Sequence, residues 1–315
     1  MSKEFEQKVN EYLVSKGVDV TNPSEDKLSD ARAYATCYEW YITKMKVLPE
    51  NASIAARVWV DKYALHNKNG VCVETDPENM WDRIATALAS VEEKDKDKWK
   101  KAFRTLQEGF GFTGQGSVLY SIGNPYTNSS SSNCFLTTSP DDSIEDIFDA
   151  AKRMARIFSR RGGAGICLDN LRPSGAPVNN AAKTTSGANS YMDFYSYVTG
   201  LIGQAGRRGA LMITMSVNHP DIEKFIEEKS DKKLDFFFND LAEVGIDVND
   251  FKYFGVASRL KSTTNANVSV VVTREFLSAV ENDTDWELRF DFKDANYPPI
   301  IKIVRAKDLW DKITY

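Results

Sequence analysis

One of the four cysteines lies where its thiol could do chemistry. Cys134 follows a polar tract that runs from Asn124 to Asn133, and it precedes a short apolar run. A thiol at such a junction could face a cleft, but a buried cysteine that acts as a small hydrophobic side chain is the commoner case. The sequence offers no nearby histidine to activate the thiol. Spacing alone therefore leaves both interpretations of Cys134 open.

A second segment places glycines just before an apolar strand pattern. The run Arg161-Gly162-Gly163-Ala164-Gly165-Ile166-Cys167 lacks side chains where a sugar or phosphate could approach the backbone. Its order of helix, glycines and strand differs from the dinucleotide fingerprint, in which the strand comes first. A tight connection between a helix and a strand explains the same glycines equally well. Gly162 is also placed to end the preceding helix.

Three further side chains are suited to a sugar or a phosphate. Asp142 and Ser143 stand at the start of a predicted helix, and Arg172 lies in Leu-Arg-Pro-Ser-Gly. Ser143 could simply cap the helix by accepting from the backbone N–H near Asp146. The carboxylate of Asp142 could also accept from a ribose hydroxyl, and the planar guanidinium of Arg172 could clamp a phosphate. Capping and ligand binding both remain open.

Two basic loops and one histidine complete the set of candidates. The loops Gly206-Arg207-Arg208-Gly209 and Arg259-Leu260-Lys261-Ser262-Thr263-Thr264-Asn265 each precede a strand pattern. Each could bind phosphate or form an ordinary turn. His219 opens a helix in His-Pro-Asp, and we expect a capping or packing side chain there rather than a ligand.

Hydrophobic periodicity predicts the elements that position these residues. The pattern is helical up to about Gly109, with Pro77 in the first turn of one helix, and the charged run 92–101 predicts a solvated helix face or a loop. Beyond it strands alternate with helices, which predicts a parallel α/β architecture. The last segment, 305–315, predicts a helix whose apolar face lacks a partner. The predicted strands are 164–168, 210–217 and 266–272, and the predicted helices are 143–161, 191–204, 220–229 and 274–280.

Composition narrows the class of protein. A chain of 315 residues with 42% hydrophobic and 27% charged residues is globular. Its net charge is −5, and its basic residues are scattered among acidic ones, which argues against direct nucleic-acid binding. Four widely spaced cysteines without a C-x-x-C pair, and two histidines, give no zinc-binding set, so we expect no bound metal. The start of the chain is polar and no run approaches the length of a membrane span, which predicts a cytoplasmic protein without a membrane partner.

Taken in order, four segments resemble the catalytic subunit of ribonucleotide reductase. They are SSNCFLTTSPDDSIEDIF, RGGAGICLDNLRPSGAPV, GRRGALMITMSVNHPDIEKFIEEK and TNANVSVVVTREFLSAV. A looser likeness over WVDKYAL and the helix around Trp81 resembles the cobalamin-dependent class II more than the iron-dependent class. The resemblance implies a helical amino-terminal domain, 1–115, followed by the first half of a ten-stranded α/β barrel, 116–315.

The resemblance assigns the candidates to two sites. Cys134 matches the first redox cysteine, which gives a hydrogen to the 2′ carbon of the ribose as water leaves and becomes half of a disulfide. The implied substrate-binding residues are Ser121, Asn133, Gly162 and Gly163. Asn133 stands where the iron-dependent enzymes more often carry serine, a departure from their pattern.

The second site binds the specificity effector, a deoxynucleotide. Asp142, Ser143 and Ile144 match the helix start that holds the ribose and base of the effector, and Arg172 matches the arginine on its phosphates. A first effector loop would be 176–186, with Asn179, and a second would be 258–265, with Arg259 and Lys261. A change in the second loop should alter the choice of substrate more than turnover.

The resemblance also implies partners and cofactors. These are a ribonucleoside di- or triphosphate substrate, a deoxynucleoside triphosphate effector with magnesium, a thioredoxin-like reductant and a homodimer of the assembled subunit. Adenosylcobalamin is the implied radical source, and a radical from a separate metal-containing subunit is the alternative.

The family's radical-bearing cysteine, second redox cysteine and substrate phosphate loop have no counterpart in this sequence, whose last cysteine is Cys167. We therefore expect catalysis to need a companion polypeptide with the carboxy-terminal half. The alternative is a non-catalytic deoxynucleotide-binding module.

Overall fold

A computed structural model describes residues 2–108, 111–202, 209–228 and 263–314. The described residues divide into two compact units, with the first extending to Asn133 and the second beginning at Cys134. The division expected from the sequence, after residue 115, falls inside the first unit. Each unit has its own hydrophobic core.

The first unit is built from helices, as its periodicity predicts. Pro77 occupies the first turn of one helix, and Asp76 caps that helix by accepting from the N–H groups of Glu78 and Asn79. Side chains of the charged run are mostly exposed, and its second half lies in a helix, as expected. The helices are α1 (Lys3–Ser15), α2 (Glu25–Thr43), α3 (Pro49–Lys62), α4 (Pro77–Ser90), α5 (Lys96–Glu108) and α6 (Gly116–Ser121).

The second unit contains a parallel four-stranded sheet in the order β1-β2-β3-β4. The predicted alternation of strands and helices is confirmed, and with it the α/β class. Strand β1 lies in what the sequence marked only as a short apolar run. The strands are β1 (Cys134–Leu136), β2 (Gly163–Cys167), β3 (Leu211–Ser216) and β4 (Ala266–Val271), and the helices are α7 (Ile144–Phe158), α8 (Ala188–Leu201), α9 (Ile222–Glu227) and α10 (Arg274–Glu281).

An antiparallel hairpin that the sequence did not predict follows α10. Strands β5 (Asp285–Phe290) and β6 (Ile300–Arg305) pair in register from Asp285 with Arg305 to Phe290 with Ile300. A final helix, α11 (Ala306–Thr314), packs Leu309 into the core of the second unit with only 2% of the residue exposed. The expectation that this helix lacks a partner for its apolar face is therefore wrong.

Within the described ranges, none of the helices has both the length and the apolar character needed to span a membrane.

Candidate functional site

The candidate residues of the second unit lie at opposite ends of its parallel strands. Cys134 begins β1 and lies opposite Gly163, the first residue of β2, in the strand register. Asp142 and Arg172 instead follow the carboxyl ends of β1 and β2, where open α/β sheets commonly bind ligands. Because β2 spans five residues, its two ends are about 13 Å apart at 3.3 Å per residue.

Cys134 is an exposed free cysteine on the edge strand of the sheet. The interpretation of Cys134 as a buried hydrophobic side chain is therefore wrong, and an accessible thiol remains. Cys167, at the end of β2, is half-buried, and burial raises the pKa of its thiol. Of these two thiols, the exposed one at the sheet edge is better placed to meet a substrate.

Gly162, which precedes the strand partner of Cys134, has a packing explanation. A side-chain carbon at Gly162 would lie 2.6 Å from Ile157 Cγ2 and 2.7 Å from Phe135 Cε2, closer than atoms can pack. Arg161, with φ of +67°, takes the left-handed conformation at the end of α7 that the sequence analysis assigned to Gly162. Gly162 therefore makes a tight connection between helix and strand, and its contact with substrate stays a prediction.

Ser121 and Asn133 belong to the first unit, where both contact Ser117. Ser121 Oγ donates to the carbonyl of Ser117 at 2.5 Å, and the Ser117 N–H donates to Asn133 Oδ1 at 2.9 Å. Asn133 Nδ2 also donates to Gln115 Oε1. The structure thus brings these two predicted substrate residues together around the start and end of α6.

The start of α7 has the cap that its sequence predicts. Ser143 is the N-cap residue, with φ −141° and ψ 151°, and its hydroxyl accepts from the Asp146 N–H at 3.2 Å. Ile144 follows with 55% of its surface exposed. Capping by Ser143 leaves the side chain of Ile144 free to contact a ligand.

Asp142 does not cap the helix but pairs with Arg172. The backbone N–H of Arg172 donates to Asp142 Oδ1 at 3.1 Å, and Arg172 Nε donates to Asp142 Oδ2 at 2.6 Å. A second group of the guanidinium, Nη1, donates to the carbonyl of Pro177, and the guanidinium carbon lies 5.6 Å from the ring centre of Phe292. These contacts fix the plane of the guanidinium, and Nη2 has no bonding partner among the described residues.

A cavity of about 350 Å³ joins these groups. One wall is the start of α7, and another is the loop 176–186, which folds back on itself through the pairing of Pro177 with Thr184. The Thr185 N–H donates to Ala176 O and the Val178 N–H to Lys183 O, both at 2.9 Å. Five of the predicted effector residues line this one cavity: Asp142, Ser143, Ile144, Arg172 and Asn179.

Sequence reasoning missed the residue that anchors the cavity wall. Asp221 is only 6% exposed, and it accepts from the N–H of Ser174 at 3.0 Å and from the N–H of Ala188 at 3.2 Å. Ser174 precedes the loop 176–186 and Ala188 follows it. Gly187, with φ of +94°, passes so close that a side-chain carbon would lie 2.5 Å from Asp221 Oδ2. The available sequence signal was the His-Pro-Asp motif, whose third residue is Asp221.

His219 packs and caps, as expected. Its Nδ1 accepts from the Asp221 N–H at 3.0 Å, so the neutral ring carries its proton on Nε2 and donates to Leu171 O at 2.9 Å. The ring is 3% exposed and meets Phe290 edge-on. His219 therefore positions Asp221 and, through it, the loop.

The second predicted effector loop lies largely outside the described residues, and Arg259 and Lys261 are among those not described. Its last residues are held by α8. Thr263 Oγ1 donates to Asp193 Oδ1 at 2.9 Å, and the Asn265 N–H donates to Ser196 Oγ at 3.0 Å.

The unpredicted hairpin supplies a second set of charges beside the same pair. A cavity of about 600 Å³ shares Asp142, Arg172 and Asn179 with the first and adds Arg289 and Lys293. Lys293 Nζ lies 2.7 Å from Asp141 Oδ1. The two adjoining cavities therefore combine acidic and basic groups with an exposed apolar side chain at a helix amino terminus, which suits a phosphorylated sugar bearing a base.

The described residues form a helical unit followed by a parallel α/β sheet, with a polar cavity at the carboxyl ends of its strands and an exposed thiol at the other end. Comparison with known families identifies this arrangement. Residues 132–314 match the ribonucleotide reductase barrel domain, and residues 50–126 match the ribonucleotide reductase all-alpha domain. The chain belongs to the ribonucleotide reductase large-subunit family.

Individual proteins similar to the chain support the same family assignment. The chain is 28% identical over 277 residues to a vitamin B12-dependent ribonucleoside-diphosphate reductase of Thermoplasma acidophilum, covering 84% of this chain and 30% of that protein. It is 34% identical over 220 residues to a vitamin B12-dependent ribonucleotide reductase of Streptomyces clavuligerus, covering 67% and 21%. A ribonucleoside-diphosphate reductase large subunit of monkeypox virus is 28% identical over 214 residues, covering 67% and 25%. The chain thus spans about a fifth to a third of the length of these relatives.

Proposed function

We propose that this chain forms part of a ribonucleotide reductase, which converts ribonucleotides into deoxyribonucleotides, and that it contributes the effector site and one redox thiol. The observation that carries the proposal is the single cavity lined by Asp142, Ser143, Ile144, Arg172 and Asn179. The family resemblance assigns these five residues to one ligand, and all five line the same cavity. Residues far apart in sequence would not converge on one cavity without a shared structural or binding requirement.

The chemistry of the cavity fits a deoxynucleoside triphosphate. Arg172 Nη2 and the positive end of the α7 dipole would receive phosphate, and the exposed Ile144 side chain would contact the base. Glu145 also lines the cavity and carries a negative charge toward the same anion. A magnesium ion on the triphosphate would offset that repulsion.

Cys134 would act on the substrate at the opposite end of the sheet. Its thiol supplies hydrogen to the 2′ carbon as the 2′-hydroxyl leaves as water, and its sulfur then forms a disulfide with a second thiol of the reductase. Cys167 is not that thiol, because it lies four positions along β2 from Gly163, the partner of Cys134. That offset of about 13 Å exceeds the Cα separation of about 4.4–6.8 Å that a disulfide allows. A thioredoxin-like reductant would restore both thiols.

Adenosylcobalamin is the radical source that we propose, because the Thermoplasma and Streptomyces relatives are named as vitamin B12-dependent. A separate metal-containing radical subunit is the alternative. The two cavities beside Arg172 are lined by charged and polar groups suited to phosphates and sugars, and they lack the broad apolar face that a corrin ring needs. Neither of these two cavities therefore fits the cofactor.

The substrate would be a ribonucleoside di- or triphosphate, and the assembled subunit a cytoplasmic homodimer. We propose that a companion polypeptide supplies the family's remaining catalytic residues. Co-expression with the carboxy-terminal part of a class II reductase tests this. We expect co-purification and conversion of radiolabelled ribonucleotide with adenosylcobalamin and a dithiol, abolished by Cys134→Ser.

The same experiment addresses the rival function. A chain that binds deoxynucleotides but neither co-purifies with the companion nor gives activity on mixing would be a binding module. Reduction by the 315-residue chain alone would contradict the proposed need for a companion.

A further inference from the structure

The first unit contains a cluster of three potential metal ligands that the reductase proposal does not use. Asp30, on α2, and His66 and Cys72, on the turn after α3, each direct one ligand atom toward a common point. The carboxylate oxygen, the imidazole nitrogen and the sulfur all lie within 4.8 Å of one another. All three residues are half-buried. Asp30 lies far from the other two residues in the chain, so sequence spacing does not reveal this set of ligands.

We propose that Asp30, His66 and Cys72 bind one zinc ion. Zinc takes nitrogen, sulfur and oxygen ligands in tetrahedral sites at about 2.0–2.3 Å, which places the ligand atoms roughly 3.3–3.8 Å apart. His66 Nε2 and Asp30 Oδ1 are 2.7 Å apart without metal. Zinc binding would lengthen this distance by under about 1 Å, which a small side-chain rotation allows. Three protein ligands and one water complete such a site.

The turn holds His66 and Cys72 side by side. The Val73 N–H donates to Leu65 O at 2.8 Å and the Asn67 N–H donates to Val71 O at 2.9 Å, on either side of the bridge between His66 and Cys72. This makes His66 and Cys72 a non-hydrogen-bonded antiparallel pair, the closer of the two kinds, with both side chains on one face.

The turn is also joined to α2 beside the third ligand. The Cys72 N–H donates to Ser29 Oγ at 2.9 Å, next to Asp30 in sequence. Glu74 accepts from the Leu65 N–H at 2.9 Å, and Arg83 Nε donates to the same carboxylate at 2.7 Å. The backbone on both sides of the cluster is therefore held before any metal binds, which lowers the entropy cost of ordering the ligands.

The imidazole has the orientation of a metal ligand. His66 Nδ1 lies 2.9 Å from the carbonyl of Ala64, which fixes a proton on that nitrogen and turns Nε2 toward Asp30 and Cys72. A backbone carbonyl on the far nitrogen is the usual support of a metal-bound histidine. Metal binding would release the Nε2 proton and the thiol proton to solvent, leaving a neutral imidazole.

The donor set favours zinc over the common hard cations. Calcium and magnesium take oxygen ligands, whereas a thiolate with an imidazole favours zinc and its neighbours. One thiolate and one carboxylate balance the two charges of the ion. In the absence of metal, His66 forms an ion pair with Asp30 that joins the turn to α2, and the Cys72 thiol donates to the carbonyl of Glu74 at 3.0 Å. A purely structural role of these contacts is the alternative to zinc binding.

Metal analysis and cobalt substitution of the full 315-residue chain distinguish a zinc site from a purely structural cluster. We expect one zinc per chain after dialysis, and one equivalent of Co²⁺ to give a thiolate-to-cobalt charge-transfer band with the visible bands of tetrahedral cobalt. Zinc should also raise the midpoint of thermal unfolding. Cys72→Ser should remove the charge-transfer band and the stabilisation, and Asp30→Asn should lower zinc affinity by about tenfold or more.

Cys167→Ser is the matched control, a half-buried cysteine of the other unit that should leave all three readouts unchanged. A wild-type chain that holds no stoichiometric zinc and gives no charge-transfer band would overturn the proposal without any variant. A band that persists in Cys72→Ser, or disappears in Cys167→Ser, would overturn it too.

Discussion

Arg172 donates both its backbone N–H and its Nε to Asp142, at 3.1 and 2.6 Å, although thirty positions separate the two residues. The pair joins the segment after β1 to the segment after β2 at the carboxyl edge of the sheet. It also places one arginine between two adjoining cavities. The proposed effector site is therefore organised by an ion pair that exists before any ligand arrives.

Ser143 provides a test that separates capping from ligand binding. Ser143→Ala should lower the free energy of unfolding by about 1 kcal/mol, because the Asp146 N–H loses its acceptor. Urea unfolding measures the loss. Thr273→Ala is the matched control, since Thr273 caps α10 in the same way without lining the cavity. An effector affinity that falls more in Ser143→Ala than in Thr273→Ala would assign the hydroxyl to the ligand as well.

Asp221 should control the loop that forms the cavity wall. Asp221→Ala leaves the N–H groups of Ser174 and Ala188 without their acceptor, which should cost about 2–3 kcal/mol of stability. Effector affinity should fall as well, because the loop loses its anchor. Asp221→Asn keeps one oxygen, so its stability and its effector affinity should lie between those of Asp221→Ala and the wild type. An unchanged affinity in the folded alanine variant would show that the loop holds its position independently.

Gln107 carries two buried polar atoms that lack partners among the described residues. Its Nε2 and Oε1 make no hydrogen bond to any of them, although the residue is only 4% exposed and lines a cavity of about 320 Å³ among aromatic side chains. Gln107→Leu should therefore raise the free energy of unfolding by about 1 kcal/mol or more. The exposed Gln7→Leu is the control and should change stability by less than about 0.5 kcal/mol. Destabilisation by Gln107→Leu would mean that the amide has a bonding partner in solution.

Glu223 should make the second unit sensitive to acid. Hydrogen bonds from Lys302 and Lys312 hold the pKa of the Glu223 carboxyl below its usual value of 4.5. A carboxyl whose pKa is lower in the folded state stabilises the fold above pH 4.5, and that contribution is lost as the pH falls through the folded value. Unfolding followed between pH 7 and pH 3 should show a smaller loss in Glu223→Gln. Identical pH profiles would show that this ion-pair cluster contributes nothing.

Local signals in the sequence were sufficient for much of the fold. The cap at Ser143, the first-turn Pro77 and the periodicity of α7 depend on neighbours within a few residues, so the sequence exposes them directly. The hairpin β5–β6 was not predicted although β5 alternates polar and apolar residues from Asp285 to Phe290, which is a strand signal. Its partner β6 is mostly exposed and lacks that alternation, so the sequence did not show a pair of strands.

Long-range contacts were the part that the sequence could not supply. The pairing of Asp142 with Arg172, the anchoring by Asp221 and the meeting of Asp30 with His66 and Cys72 all join segments that pattern reasoning treats separately. Family resemblance selected the effector candidates but could not show that five of them line one cavity. The left-handed residue after α7 is Arg161 and not Gly162, because Gly162 is required for packing against Phe135.

Equilibrium binding of a deoxynucleoside triphosphate to the full chain, by isothermal titration calorimetry with magnesium, tests the effector site most directly. We expect one site per chain and a loss of affinity of about tenfold or more in Arg172→Ala. Arg305→Ala, which breaks a comparable ion pair with Asp283 on the hairpin, should bind as the wild type does. Absence of binding by the wild-type chain, or equal binding by Arg172→Ala, would contradict the account.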